Sequence, residues 1–219
     1  MPRAVLLSHD WVAHELGHLE PALEARGFTI TRAYRERADP IPEGDLLVVM
    51  GSPWSVASGH EDAAALAEVD LVRHWVWAGR PYLGICFGAQ VLARATGGDV
   101  TRLSPPFHGY VAIDTDSPDM PELAGPWTVW HNDAIQTAPS SSTIGSLGHA
   151  DLVFRTGRAW GIQPHVEVTA DTLERMAVAL GSTPGVYGPI VDALRADAPG
   201  NAARAQSFLD GVLVDLLDE

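Results

Sequence analysis

Cysteine is almost missing from this chain. Cys86 is the only one among 219 residues, so no intramolecular disulfide can form, and a cytoplasmic, reducing location with a free thiol is the default expectation. Basic residues are also scarce: 14 Lys and Arg stand against 28 Asp and Glu, for a formal net charge of -14. They form no stripe along the sequence, which argues against nucleic acid and against an anionic membrane surface, since both need clustered positive charge. Long apolar runs are missing as well. The N-terminal MPRAVLLSHDW meets His9 and Asp10 too early to be a signal-peptide core or a membrane span. There is no internal repeat, and the Gly/Ser/Pro loop at residues 51–59 lacks the lysine and glycine spacing of a phosphate cradle.

What is present is ordinary for a folded globular protein: 46% apolar and 19% charged residues. The length suits one large α/β unit, and no compositional seam divides it, so residues 1–219 are read as a single domain. Short aliphatic runs alternate with segments of helical period, the pattern of a mostly parallel sheet flanked by helices. Strands are expected at residues 4–8, 28–34, 45–50, 81–85 and 159–162. Helices are expected at 15–26, 61–79, 87–96, 171–180 and 202–217. Residues 100–157 read as a small antiparallel β extension, with a mobile loop at 137–148 and a connector at 181–188.

The chemistry concentrates where the strand at 81–85 meets the following helix. Gly84-Ile85-Cys86-Phe87-Gly88 is a glycine-x-nucleophile-x-glycine turn, in which small flanking residues let the backbone crowd and hold the central side chain out at the sheet edge. A sulfur at a helix N-terminus is favoured as the thiolate, and the Phe87 N–H lies beside a developing oxyanion. A buried core cysteine is the bland alternative, and the flanking glycines weigh against it. A nucleophilic cysteine needs a base and an orienting group. Gly161-Ile162-Gln163-Pro164-His165-Val166-Glu167 supplies both, because residues two apart in an extended segment share a face. Cys86, His165 and Glu167 would then make a Cys–His–Glu triad. His9, His14 and His18 raise the thought of a metal, but no carboxylate or thiolate completes a ligand set. No metal and no cofactor are expected.

These blocks resemble the class I glutamine amidotransferases. GICFGAQVLA followed by ATGG is similar to the family's nucleophile elbow, and GIQPHVE to its histidine–glutamate segment. DLLVVMGSPWSV is similar to its third strand and oxyanion loop, and TVWHNDAIQTAPS to the segment that closes over the substrate. They occur in the family's order over roughly residues 4–180, closest in flavour to the stand-alone group similar to the amidotransferase domain of GMP synthase. The resemblance implies a flavodoxin-like class I amidotransferase fold, with glutamine as substrate and Cys86 attacking its side-chain amide. His165 would protonate the departing ammonia and Glu167 would support it. The oxyanion donors would be the N–H of Phe87 and that of Gly51 or Ser52. Gln90, His131, Asn132 and Asp133 would hold the substrate. It also implies delivery of ammonia to a separate, ATP-dependent synthetase subunit. Ala89, Ser52, Pro164, Val166 and the absence of an acid in residues 105–110 depart from the family pattern. Pro164 removes an N–H and fixes φ beside the expected base. Two other readings use the same residues: a γ-glutamyl hydrolase of small metabolites, and a catalytically weakened regulatory subunit.

Overall fold

The computed structural model describes residues 1–37 and 40–217. In chain order the elements are β1 (Arg3–Ser8), α1 (Leu19–Ala25), β2 (Thr29–Tyr34), β3 (Leu46–Val49), α2 (Ala63–Trp77), β4 (Tyr82–Ile85), α3 (Phe87–Ala95) and β5 (Asp99–Val111). There follow β6 (Trp127–Gln136), β7 (Ser142–Leu147), β8 (Ala150–Thr156), β9 (Ala159–Ile162), α4 (Ala170–Ala179), α5 (Pro184–Ala196) and α6 (Ala198–Leu217). Seven strands make one sheet in the order β2-β1-β3-β4-β9-β8-β7. The first five run parallel, and β8 and β7 add an antiparallel edge. β5 and β6 pair antiparallel in a separate two-stranded sheet. This is the predicted α/β architecture with its small β extension.

The continuous apolar strands follow from cover on both faces. Ala4, Leu6, Leu46 and Val48 pack with α1 and α6 on one side, where Leu19, Leu23, Phe208 and Leu209 are buried. Val5, Leu7, Leu47 and Val49 pack with α2 and α3 on the other. A third, smaller cluster joins α4 and α5 to Val12 and Trp130, and so closes one end of the sheet over the carboxyl ends of its strands. In open parallel sheets that end is where ligands bind.

Four local expectations change. The first helix begins at Leu19 rather than at residue 15, because the chain before it is held by a tertiary contact. The His18 N–H donates to the Glu167 carbonyl at 2.8 Å, and Gly17 sits at φ +45° where a Cβ would lie 2.0 Å from that same oxygen. Residues 142–147 of the expected mobile loop form strand β7, secured along β8. Part of the expected connector is the start of α5, with Pro184 in its first turn, where proline is accommodated. The last helix begins at Ala198, four residues before the expected start. On α2, Leu66 is 43% exposed and Trp77 73% exposed, whereas Trp75 is buried.

Candidate active site

The turn after β4 is held in the conformation that the glycine pattern predicts. Cys86 has φ +52°, which costs a non-glycine residue strain and persists only where surroundings impose it. Here they do. A Cβ on Gly84 would lie 2.4 Å from the Gly88 carbonyl, and one on Gly88 would lie 2.2 Å from the Val49 oxygen. The elbow therefore packs backbone on backbone, and only glycine fits at either flank. Cys86 is 8% exposed, and its thiol lies 3.5 Å from the Trp130 carbonyl, which accepts from it.

His165 and Glu167 follow β9, the neighbour of β4, and so reach the same sheet end. His165 Nδ1 and Glu167 Oε1 are 2.8 Å apart, and both side chains are 3% exposed. Burial alone would lower the His165 pKa. The Glu167 carboxylate, and after it the nearby Cys86, override it and raise that pKa well above its ordinary value. Pro164 does not disturb this arrangement. The His165 N–H donates to Thr128 in β6 at 2.8 Å, and Val166 packs into the main core.

Gly51 and Ser52 lie at the end of β3. A Cβ on Gly51 would fall 3.4 Å from the His165 ring and 3.8 Å from the Cys86 Cβ, so the Gly51 backbone borders both residues. The Ser52 hydroxyl accepts from the Trp54 N–H at 3.0 Å and lies 2.8 Å from His9 Nε2. With the single ring proton of a neutral His9 on Nδ1, Nε2 accepts from the Ser52 hydroxyl. Burial lowers the His9 pKa and so favours the neutral ring, with the Nδ1 proton directed at Glu36. His9, raised above as a metal residue, thus braces this loop.

Cys86 opens into a cleft of about 320 Å³ lined by Ser52, Trp54, Gln90, Arg102, Trp130, His131, Asn132, Asp133 and Ser182, among others. All four residues expected to hold a substrate are in its wall. The positions come from β6, whose register sets Asp133 opposite Arg102 and His131 opposite Phe107. Asp133 pairs with Arg102 at 2.5 Å and accepts from the Ser55 hydroxyl at 2.7 Å. His131 is only 2% exposed. Burial first, and then the neighbouring histidines 149, 165 and 108, lower its pKa to about 3, so it stays neutral at physiological pH.

Several residues in this region escaped the sequence reading. Gln163, fully buried, points its amide at Cys86 with Nε2 at 3.7 Å and accepts from Gln90 at 3.5 Å. Its signal was a polar residue closing a buried strand. Arg102, Trp130 and His149 carried no local signal, because strand register and loop return bring them in. Among the described residues no group of three or more His, Cys, Asp or Glu is arranged to hold a metal ion, and no helix is long and apolar enough to cross a membrane.

A family model described as glutamine amidotransferase class-I matches residues 9–176. The glutamine amidotransferase-like protein YfeJ of Salmonella typhimurium is 30% identical over 167 residues, covering 69% of this chain and 70% of that protein. The GMP synthase of Thermobifida fusca is 34% identical over 130 residues, covering 56% of this chain but 23% of the synthase. The alignment thus takes in about a quarter of that larger enzyme. A glutamine-hydrolysing GMP synthase subunit of Ignicoccus hospitalis is 30% identical over 136 residues, covering 58% of this chain and 68% of that protein. Among solved structures, a glutamine amidotransferase from Thermotoga maritima superposes with a TM-score of 0.75 at 22% identity, covering 99% of this chain and 96% of that one.

Proposed function

The chain belongs to the class I glutamine amidotransferase family, and from that premise we propose that it is a glutaminase with Cys86 as nucleophile, His165 as acid and base, and Glu167 as the group that orients and charges His165. The observation that carries this reading is the elbow sulfur at a positive-φ residue beside a buried His165–Glu167 pair 2.8 Å apart.

The Cys86 thiolate adds to the side-chain amide carbon of glutamine, and the resulting oxyanion is received by the backbone N–H groups of Phe87 and of the Gly51–Ser52 segment. The imidazolium of His165 protonates the amide nitrogen, the C–N bond breaks, and ammonia leaves a γ-glutamyl thioester on Cys86. His165, now neutral, takes a proton from water as that water attacks the thioester. Glutamate departs as the C–S bond breaks, and the Cys86 thiolate and His165 imidazolium are restored. Glu167 stabilises the imidazolium and fixes the ring so that Nε2 faces the sulfur. Gln90, His131, Asn132 and Asp133 form the wall that holds the amino-acid end, with Asp133 held in place by Arg102 and Ser55. The ammonia is passed to an acceptor on a separate synthetase. Relatives that carry the name of a synthase subunit support that reading.

The test is glutamate release from glutamine by the purified chain beside Cys86→Ala and His165→Gln. Turnover that vanishes in both variants supports the assignment. Glutamate release that survives in Cys86→Ala would sink it.

A further inference from the structure

Resting on the glutaminase reading, we propose that a buried arginine, Arg35, is a positioning residue that holds the oxyanion loop with its N–H groups facing Cys86 in the free chain, and that Glu68 holds Arg35. Neither residue touches the substrate cleft. Arg35 lies in the short turn after β2, and Glu68 on the inner face of α2. Their side chains are 2% and 6% exposed.

The geometry is that of a clamp. Arg35 Nε and Nη2 donate to the two Glu68 oxygens at 2.9 and 2.8 Å, a bidentate pairing that fixes the guanidinium plane. The outer edge of the same plane donates to two consecutive backbone carbonyls, Gly51 at 3.1 Å and Met50 at 3.2 Å. In an extended strand successive carbonyls point to opposite sides. Two that converge on one guanidinium therefore require the chain to turn at Gly51. Each trans peptide sets its N–H opposite its C=O. Carbonyls 50 and 51 face Arg35, so the N–H groups of Gly51 and Ser52 both leave on the other side, as in a backbone anion nest.

That other side is the nucleophile's. Gly51 borders Cys86 and His165. Neither its N–H, nor that of Ser52, nor that of Phe87 donates to any acceptor among the described residues. The guanidinium carbon also lies 5.2 Å from the Phe87 ring centroid, so one side chain braces the residues on both flanks of the hole. A buried ion pair contributes little net stability compared with apolar residues of the same volume. What this one does is orient peptides.

The experiment separates the clamp from the substrate assignment by using p-nitrophenyl acetate, a general acyl ester. Cys86 adds to the acetyl carbon and p-nitrophenolate leaves. The acetyl thioester is then hydrolysed by water. This needs the oxyanion hole but no recognition of glutamine. Alkylation of Cys86 by iodoacetamide needs the thiolate and no oxyanion hole, and reports an intact elbow. In Arg35→Met/Glu68→Leu, which removes both charges and keeps the volume, acylation should fall about 10²-fold or more. Alkylation should stay within about threefold of wild type. Arg35→Lys, which cannot span two carbonyls and a carboxylate in one plane, should fall nearly as far. With glutamine the loss should appear in kcat and not in KM. Acylation equal to wild type, or falling in step with alkylation, overturns the clamp. So does a wild-type chain that shows no Cys86-dependent acylation. Ester acylation without glutamate release would instead leave the clamp standing and remove the glutaminase reading.

Discussion

Cys86 sits at φ +52°, and the strain is tolerable because two glycines leave no room for the backbone to relax. Gly84→Ala and Gly88→Ala should each destabilise the fold by about 1–3 kcal/mol or more, since the new methyl would lie 2.4 and 2.2 Å from backbone atoms that cannot rotate away. Gly148→Ala, where a Cβ meets nothing within 4 Å, should stay within about 0.5 kcal/mol. Denaturant midpoints of the three variants check this. A second expectation concerns Glu167. Its carboxylate raises the His165 pKa against the opposing effect of burial. Glu167→Gln keeps the shape and removes the charge, so the His165 titration followed by NMR should move down, and kcat should fall about 10²-fold or more. The linkage has a definite sign. A histidine whose folded pKa is raised stabilises fully below its ordinary value of 6.5, and that contribution is lost as pH rises through the folded value. The alkaline loss of stability should therefore be shallower in Glu167→Gln than in wild type.

At the level of elements, what brings residues to the cleft is the way strands and helices end. Helix α4 follows directly after Glu167 and Val168, and begins with a reciprocal cap in which Thr169 and Thr172 satisfy each other's backbone N–H groups. Thr169→Ala should cost about 1 kcal/mol, read as a shift in denaturation midpoint. Because Met176 on α4 lines the small cavity beside Cys86 and His165, a loosened cap should also raise hydrogen exchange in the first turn of α4. The return of β6 over the sheet end decides more. Its pairing with His165 through Thr128 and its register against β5 place the histidine backbone and the Arg102–Asp133 pair in one operation.

For the molecule as a whole, one acid-sensitive element is the histidine-rich wall where the small sheet meets the large one. His131 has a folded pKa of about 3, lowered mainly by burial. A histidine held neutral in this way favours folding fully above its unfolded value of 6.5, and the contribution is lost progressively as pH falls from 6.5 toward 3. His131→Gln should flatten the pH dependence of stability across that window by the uptake of about one proton, which denaturation at stepped pH measures. Above pH 7 the two proteins should show parallel curves.

The central strands, the elbow, the His165–Glu167 pair and the family could be read from the sequence because each rests on local chemistry. Apolar runs demand cover on both faces, glycines demand crowding, and a two-residue spacing puts a base beside its support. The strand at residues 142–147 pairs with β8 across a two-residue turn, and its Ser- and Gly-rich composition hid it. The start of α1 and the helix at Pro184 could not be read, since each is set by a partner distant in the chain: the Glu167 carbonyl and the cluster around Trp130. The same holds for Gln163 behind the thiol and for Arg35 with Glu68, 33 residues apart. A buried ion pair has no periodicity and no motif. Only when β2, β3 and α2 come together does it find the two carbonyls it holds, so the elbow turn around Cys86 was determined by the sequence and the grip of Arg35 on the Met50 and Gly51 carbonyls by the tertiary fold.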